Sequence, residues 1–314
     1  MNEFADKRVK PMLIGADAEA FDDPAYLYEL KWDGERCVAY LDPAAGTTEL
    51  INKRDLKMLP KVPELAALHK QVKKRCILDG ELMVLKDGKP SFFEIQRRSL
   101  MSNKFRIVLA AKQYPASFVA FDILYLQEDS LMHLPLTERK AKLEKTVREN
   151  ERLAVSRFVE GKGVEFYKLA EAKELEGIVA KRMDSRYVPG KRTKDWVKIK
   201  NLQDDDFVVC GYIYKEQNVT SLVLGQYDGG ALVYEGHVTT GVNGRPFEEI
   251  LRQPRLKIPP MDAPAGHGNE EAVWIEPNLV CTVNYMEKTP SGGLRQPVFK
   301  GLRDDKVPQE CTIT

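Results

Sequence analysis

Apolar residues along this chain recur mostly in short, strand-length runs. SFVAFDILYL (117–126) is the most hydrophobic of them and predicts a buried strand. Residues 26–31 and 35–41 carry alternating, β-branched and aromatic positions on either side of Trp32-Asp33-Gly34, which predicts two strands around a tight turn. CILDGELMVLKDGKP (76–90) reads as a hairpin turning at Asp87-Gly88, and GIVAKR (177–182) and DWVKIK (195–200) as two further strands. Helical spacing is rarer. Leu65, Leu68 and Val72 predict a short amphipathic helix between Pro60 and Lys74, and Asn103 caps a predicted helix over 103–113. Thr137 is placed to cap a third helix whose Leu143 and Val147 face inward, and a fourth spans 164–175, ending before Gly177.

The pattern changes at NLQDDD (201–206), where three consecutive acids stand between two strands. Such a run is easier to solvate than to bury, so a domain boundary is expected near residue 203, dividing 1–203 from 204–314. Beyond it, apolar segments alternate with glycine-rich turns: FVVCGYIYK, SLVLGQYDGG, ALVYEGHV, AVWIEP and LVCTVNYMEK, interrupted by a predicted short helix from Pro246 to Arg252. Five or so strands in about 105 residues favour a small β-barrel of oligonucleotide-binding type, with a sandwich fragment as the competing architecture. Pro254–Gly268 reads as a surface loop. The fold class that follows is α+β, in two domains.

Composition narrows the function. With 43% hydrophobic and 30% charged residues, a chain of 314 residues has the make-up of a folded protein and the length for two cores. Its net charge of +1 conceals an asymmetry: residues 201–314 hold ten Lys/Arg against sixteen Asp/Glu, leaving 38 against 31 in residues 1–200. The larger part, at +7, suits a polyanion better than the smaller, at −6. Cys37, Cys76, Cys210, Cys281 and Cys311 are scattered without a Cys-x-x-Cys pair, which predicts reduced thiols in an intracellular protein, and the four histidines are too dispersed for a zinc site. No apolar run approaches a membrane span, so no membrane partner is expected and a cytoplasmic, nucleoid-associated location is.

Lysine is a nucleophile only when neutral, a state that its reference pKa makes rare at pH 7. A catalytic lysine therefore needs positive charge nearby. Lys198 and Lys200 alternate along their strand and leave the same face. Two ammonium groups converging with a divalent cation would depress a neighbouring lysine and hold phosphate oxygens, which describes a phosphate site and not an acid–base dyad. Asp33, Glu81 and Glu176 each stand near a glycine at a predicted strand edge, and Mg²⁺ favours a few carboxylates plus water and phosphate oxygens. Asp-Gly is equally ordinary in hairpin turns and Phe121 equally ordinary in a core, so spacing alone does not unite these groups.

KWDG (31–34), LDGEL (78–82), FDIL (121–124), EGIVAK (176–181) and DWVKIK (195–200), in that order, resemble the successive motifs of covalent nucleotidyltransferases, specifically the ATP-dependent DNA ligases. PVFKGLRDDK (297–306) is similar to the C-terminal motif of bacterial and archaeal end-joining ligases. A lone KxDG tetrad means little; six ordered elements across residues 8–308 are specific. The resemblance implies an ATP-grasp-like nucleotidyltransferase domain followed by an OB-fold barrel, with ATP and Mg²⁺ (or Mn²⁺) as cofactors. It implies that Lys31 becomes covalently bound to AMP, that Lys198 and Lys200 grip the α-phosphate, and that Glu29 recognises adenine while Phe121 stacks on it. Arg36 and Arg54 match arginines contacting nucleotide and nucleic-acid phosphates, Glu81 a glutamate near ribose and metal, and Glu176 a metal-associated glutamate, with Asp33 a weaker metal candidate. Arg303, Asp305 and Lys306 fall in the C-terminal motif, whose basic residues orient pyrophosphate.

The implied activity is sealing of 5′-phosphate/3′-hydroxyl breaks in duplex DNA through lysyl-AMP and DNA-adenylate, in repair by end joining. No helical DNA-clasping domain is visible before Lys31, nor any fused polymerase or nuclease module, so the chain reads as a stand-alone ligase core. A core of this size is expected to draw on an end-binding partner of Ku type and on separate polymerase or nuclease proteins. An RNA ligase or a capping guanylyltransferase shares the lysine chemistry, and a non-enzymatic nucleic-acid-binding protein would explain the charge asymmetry alone. NAD-dependent ligases fit less well, because neither their zinc-ligand cysteines nor their nicotinamide-binding segment is visible.

Overall fold

The strand ending at Leu30 and the strand beginning at Glu35 belong to different sheets, and the expected hairpin around Trp32-Asp33-Gly34 does not form. The computed structural model describes residues 3–215, 218–239, 245–289 and 292–313. Its first unit, Met1–Asn201, begins with a short helix α1 (Glu3–Asp6) and strands β1 (Leu13–Asp17), β2 (Tyr26–Leu30), β3 (Glu35–Asp42), β4 (Thr47–Asn52) and β5 (Cys76–Lys86). A two-residue return strand β6 (Lys89–Pro90) leads to helices α2 (Phe92–Leu100) and α3 (Lys104–Gln113). Strands β7 (Ala116–Leu126) and β8 (Asp129–Ser130) precede α4 (Leu136–Thr146). The unit ends with β9 (Leu153–Val155), β10 (Phe158–Glu160), α5 (Gly163–Ala172), β11 (Gly177–Arg182) and β12 (Arg192–Lys200).

One sheet runs β1-β12-β11-β2-β10; the other runs β4-β3-β5-β7-β8, with β6 on β5 and β9 on β7. Between them lies an apolar layer including Met12, Val38, Ile77, Phe121, Leu124, Val179, Tyr187 and Trp196. Outer layers back each sheet, one containing Leu65, Leu68, Ile95 and Leu143, the other Ala170 of α5 with Ile178 and Ile199. The chain thus crosses from one sheet to the other through Lys31–Gly34. A hairpin would have kept both strands in one layer; burial of both faces of β2 and β3 favours separating them.

Local signals were obeyed where side chains could satisfy them. Asn103 caps α3, its side chain accepting from the Arg106 N–H at 3.1 Å, and Asp87-Gly88 turns β5 into β6 with both residues at positive φ. Two expectations are corrected and one helix was missed. Between Pro60 and Lys74 there is no α-helix but two 3₁₀ turns, Pro63–Leu65 and Leu68–Gln71: the Leu65 and Leu68 spacing fits three residues per turn, and Thr48 Oγ1 accepts the His69 N–H at 3.1 Å. Thr137 does not cap α4; Pro135 holds that position without a side-chain bond, although Leu143 and Val147 are buried as expected. Helix α2 was not anticipated, yet Ser91 and Glu94 spell its start, the Ser91 hydroxyl accepting from the Glu94 N–H at 3.4 Å.

The second unit, Leu202–Thr314, contains β13 (Gln203–Lys215), β14 (Asn218–Asp228), β15 (Ala231–Val238), α6 (Arg245–Leu251), β16 (Ala272–Tyr285), the two-residue strands β17 (Lys288–Thr289) and β18 (Gly293–Leu294), and β19 (Val298–Arg303). Its main sheet runs β15-β14-β13-β16-β19, antiparallel throughout and curled as a half-barrel of OB type. AVWIEP and LVCTVNYMEK form one strand, β16, and not two; the ladder to β13 skips from Leu279 to Trp274, leaving the residues around Pro277 as a bulge. The acids of NLQDDD are not a solvated linker. Asp204, Asp205 and Asp206 lie within β13, paired with Asn284, Val283 and Thr282. Each carboxylate is bonded inside the unit: Asp204 by Asn284, Asp205 by the Tyr285 hydroxyl at 2.5 Å, and Asp206 by the Thr282 hydroxyl at 2.6 Å.

Candidate active site

Strand register assembles one row of functional groups. β2 pairs with β11, setting Glu29 beside Val179, and β11 pairs with β12, setting Val179 beside Lys198 and Gly177 beside Lys200. Because side chains alternate along a strand, Glu29, Lys181, Trp196, Lys198 and Lys200 leave this sheet on the same side. Lys31 follows directly, its N–H donating to the Gly177 carbonyl at 2.9 Å, so its place is fixed by the backbone of EGIVAK.

The Lys31 ammonium donates to Glu176 Oε1, with the lysine 19% exposed and the glutamate 3%. Lys198 pairs with Asp17 Oδ1 at 3.1 Å. The Lys200 ammonium is destabilised first by burial and then by the charges of Lys198 and Lys31, which lowers its pKa. Lys31, Lys198, Lys200 and Glu176 therefore share one electrostatic neighbourhood. Glu81 joins it from the other sheet. Burial, with the charges of Glu176 and Asp79, pushes its carboxyl up to about 8 against the opposing pull of Arg36 and Lys31.

Two glycines make these approaches possible. A Cβ on Gly34 would lie 2.2 Å from the Leu82 carbonyl oxygen and 2.9 Å from Glu81 Cγ, so the KWDG glycine is where the crossing chain presses on β5. Gly177 has φ of 129°, and a Cβ there would lie 2.1 Å from the Ile199 carbonyl.

Arg36 and Phe121 are placed differently from a simple ligand-facing pair. The Arg36 guanidinium makes a two-pronged bond to Asp79, both distances 2.7 Å, and stands 4.4 Å over the Phe121 ring. Asp79 is fully buried and also accepts from the Tyr187 hydroxyl at 2.7 Å. The Phe121 ring is 6% exposed, with Lys181 Nζ also 4.4 Å from its centre. Asp79 was overlooked although it sits inside LDGEL; a carboxylate two residues before Glu81 on a buried strand was the available signal. Lys140 was overlooked too. It lies on the buried stripe Leu136–Lys140–Leu143 of α4 and pairs with Glu29, which also holds Lys181 at 3.3 Å. Burial alone would raise the Glu29 carboxyl, but these two lysines outweigh it and keep it below the usual range.

Asp33 is half-buried in the crossing segment, and Arg54 is exposed in the turn after β4, its N–H donating to Asn52 at 2.9 Å. In the second unit Arg303 binds Asp305 at 2.6 Å and Asp206 at 2.9 Å, and Lys306 binds Asp206 at 2.8 Å.

Chemically, the first unit offers an amine, two further ammonium groups and two acidic side chains in one place. Glu81 and Glu176 are hard oxygen donors, and burial, with the charges of Glu176 and Asp79, holds the Glu81 carboxyl up at about 8 although Arg36 and Lys31 pull it down. A divalent cation bound there would favour the ionised carboxylate and displace its proton. Among the described residues no three His, Cys, Asp or Glu gather into a ready-made metal cage.

Residues 11–200 match the family model "ATP dependent DNA ligase domain", and residues 215–306 match "ATP dependent DNA ligase C terminal region". The chain is 32% identical over 295 residues to the Mycobacterium tuberculosis "Multifunctional non-homologous end joining DNA repair protein LigD", covering 91% of this chain but 37% of that protein. It is 30% identical to the Bacillus subtilis "SPbeta prophage-derived DNA ligase-like protein LigB", covering 94% of this chain and 99% of the relative. The solved structure of a "mycobacterial DNA ligase D complexed with ATP and MES" superposes with a TM-score of 0.56 at 30% identity, over 98% of each chain. No helix among the described residues is long and apolar enough to cross a membrane.

Proposed function

The chain belongs to the ATP-dependent DNA ligases, and from that premise we propose that it seals 5′-phosphate/3′-hydroxyl breaks in duplex DNA through an AMP carried on Lys31. The observation that carries this reading is the convergence of Lys31, Glu176, Lys198 and Lys200 at the end of one sheet, with Glu81 reaching in from the other.

In the first step Glu176, already bonded to the Lys31 ammonium, accepts its proton. The amine attacks the α-phosphorus of ATP in line, a P–N bond forms, the bond to pyrophosphate breaks, and the second proton of the attacking nitrogen departs to the leaving pyrophosphate or to solvent. Lys198 and Lys200 hold the α-phosphate oxygens and stabilise the charge that develops there. Mg²⁺ bound at Glu81 and Glu176 would supply further positive charge to those oxygens. In the second step a DNA 5′-phosphate displaces Lys31 from AMP and takes the adenylate through a phosphoanhydride, and the departing nitrogen takes up two protons, one from Glu176 and one from solvent, to restore the ammonium. In the third step the 3′-hydroxyl attacks the 5′-phosphorus and AMP leaves. Each step transfers a phosphoryl group, so one cationic cluster serves all three.

The +7 surplus of residues 1–200 supplies the general attraction for the duplex, while several acids of the second unit are neutralised internally. The mycobacterial relatives are described as end-joining proteins, and this chain spans 37% of their length. Double-strand-break repair is accordingly the proposed setting, with a Ku-type end-binding protein and separate end-processing enzymes as partners.

The test is incubation with α-labelled ATP and Mg²⁺, followed by denaturation and by nick sealing. Label should stay on the protein, survive alkali and disappear in Lys31→Ala. A Lys31→Ala protein that keeps the label would reject Lys31 as nucleophile. Sealing rates that are the same with and without the end-binding protein would reject the partner.

A further inference from the structure

Helix α3, KFRIVLAAKQ, is apolar on two opposite sides. Ile107 and Ala110 are buried against the rest of the unit. Phe105, Val108 and Leu109, at i, i+3 and i+4, form a second apolar stripe on the solvent side, at 76%, 48% and 55% exposure. Leu100, at the end of α2, is 77% exposed, and a groove of about 570 Å³ between the two helices brings it together with Leu109, Arg97, Met101, Asn103 and Arg106. A helix that is apolar all round belongs in an interior, and four large apolar side chains left on one helical pair make a patch of the kind that marks a contact site. The platform under the patch is fixed. Arg98, buried in the last turn of α2, donates to the Lys61 carbonyl at 2.8 Å, to both Glu64 oxygens at 2.9 Å and to the carbonyl of Tyr114, where α3 ends, at 3.4 Å. One guanidinium thus ties the two helices together, and little conformational freedom is left to lose when the patch is covered.

The border of the patch is cationic. Lys104, Arg106 and Lys112 are exposed, and α3 carries no acid. Among the described residues the carboxylates near these helices pair elsewhere, Glu94 with Arg97 and Glu64 with Arg98. Duplex DNA would satisfy the three cations but leave the stripe unmet, since its backbone offers phosphate and sugar oxygens and gives Leu100, Val108 and Leu109 nothing apolar to bury against. A protein helix with apolar residues three and four apart, bordered by Asp and Glu, satisfies both. We propose that α2 and α3 form a docking face for such an acidic amphipathic helix of a partner protein, which seats an apolar side chain in the groove beside Leu100 and Leu109. The face is separate from the adenylation chemistry: Lys31, Glu176, Lys198 and Lys200 lie on or beside β2, β11 and β12, and none of them belongs to α2 or α3.

The experiment titrates the full chain against three fluorescent helical peptides of about 18 residues that share one leucine stripe and differ only in its borders, which are Glu, Gln or Lys. Anisotropy should show the Glu peptide binding about tenfold or more tightly than the Lys peptide. Phe105→Ser combined with Leu109→Ser should weaken the Glu peptide about tenfold or more, and Lys104→Glu combined with Arg106→Glu should reverse the preference, so that the Lys peptide binds the tighter. All four side chains are exposed, so the thermal midpoints of both variants should stay within about 3 °C of the wild type. Photo-crosslinking of the Glu peptide to the wild-type chain needs no substitution and should label residues within 97–113. Equal affinities for the three peptides, binding that neither double variant alters, or crosslinks confined to other segments would overturn the inference. Two further results would assign the face to another occupant and overturn it as well: a tenfold loss of nicked-duplex binding in Phe105→Ser with Leu109→Ser while peptide binding persists, or a wild-type dimer that these substitutions convert to monomer.

Discussion

Glu81→Gln should change how the first unit responds to pH. The Glu81 carboxyl is raised to about 8 from an ordinary 4.5, by burial and by the charges of Glu176 and Asp79. Between these values the folded protein holds a proton that the unfolded chain has lost. Stability contributed by this group is therefore complete below about 4.5, falls as pH rises, and is gone above about 8. The interval between 4.5 and 8, at about 1.36 kcal/mol per pH unit, sets a ceiling of about 5 kcal/mol. That is a large share of the ~5–15 kcal/mol by which domains are stable. Glutamine keeps the shape and removes the titration. Urea midpoints for both proteins, measured in chelator at about pH 5 and pH 8.5, should show the variant gaining about 2–4 kcal/mol on the wild type between the two. Adding Mg²⁺ at the higher pH should return part of the difference to the wild type, because a cation bound to the ionised carboxylate stabilises only the folded state. A wild-type-minus-variant difference that stays constant over this range would refute the placement of Glu81 in a buried site that disfavours its ionised form.

Arg36→Met should cost about 3–5 kcal/mol in urea unfolding, because it strands the fully buried Asp79 carboxylate, and adding Asp79→Asn should recover much of that loss. Gly34→Ala puts a methyl group 2.2 Å from the Leu82 carbonyl, so the crossing segment must move; a loss of about 1–3 kcal/mol by thermal denaturation is expected, with lysyl-AMP formation slowed more than about tenfold. Lys200→Ala and Lys198→Ala should each reduce the rate of lysyl-AMP formation by about 100-fold or more under saturating ATP, measured by single-turnover labelling, since each removes a cation aimed at the developing phosphoryl charge.

Much of the first unit was legible from local pattern. The strand 117–126, the capped helix after Asn103 and the strands carrying EGIVAK and DWVKIK follow from apolar periodicity and turn residues, which act over a few positions. The misread segments share a different cause. Whether Leu30 and Glu35 continue in one sheet depends on partners contributed by β10, β11, β4 and β5, up to about 150 residues away, and no local preference encodes that choice. The acids at 204–206 looked solvated because a sequence shows charge without its partners; Asn284, Tyr285, Thr282, Arg303 and Lys306 supply them from across the sheet. Asp79 and Lys140 escaped notice for the same reason, since each is an ordinary charged residue until its buried partner is known.

Residue types and their order, through their likeness to a family's ordered motifs, pointed to the lysine, the carboxylates and the paired cations proposed for nucleotidyl transfer, while their spacing alone did not unite them. Tertiary structure alone decided their company: which cation faces Glu81 and which Glu29, that Arg36 holds Asp79, and that Phe121 lies beneath guanidinium and ammonium. Those pairings depend on burial and on distances of a few ångströms between strands remote in the chain, and electrostatic energy varies steeply with both.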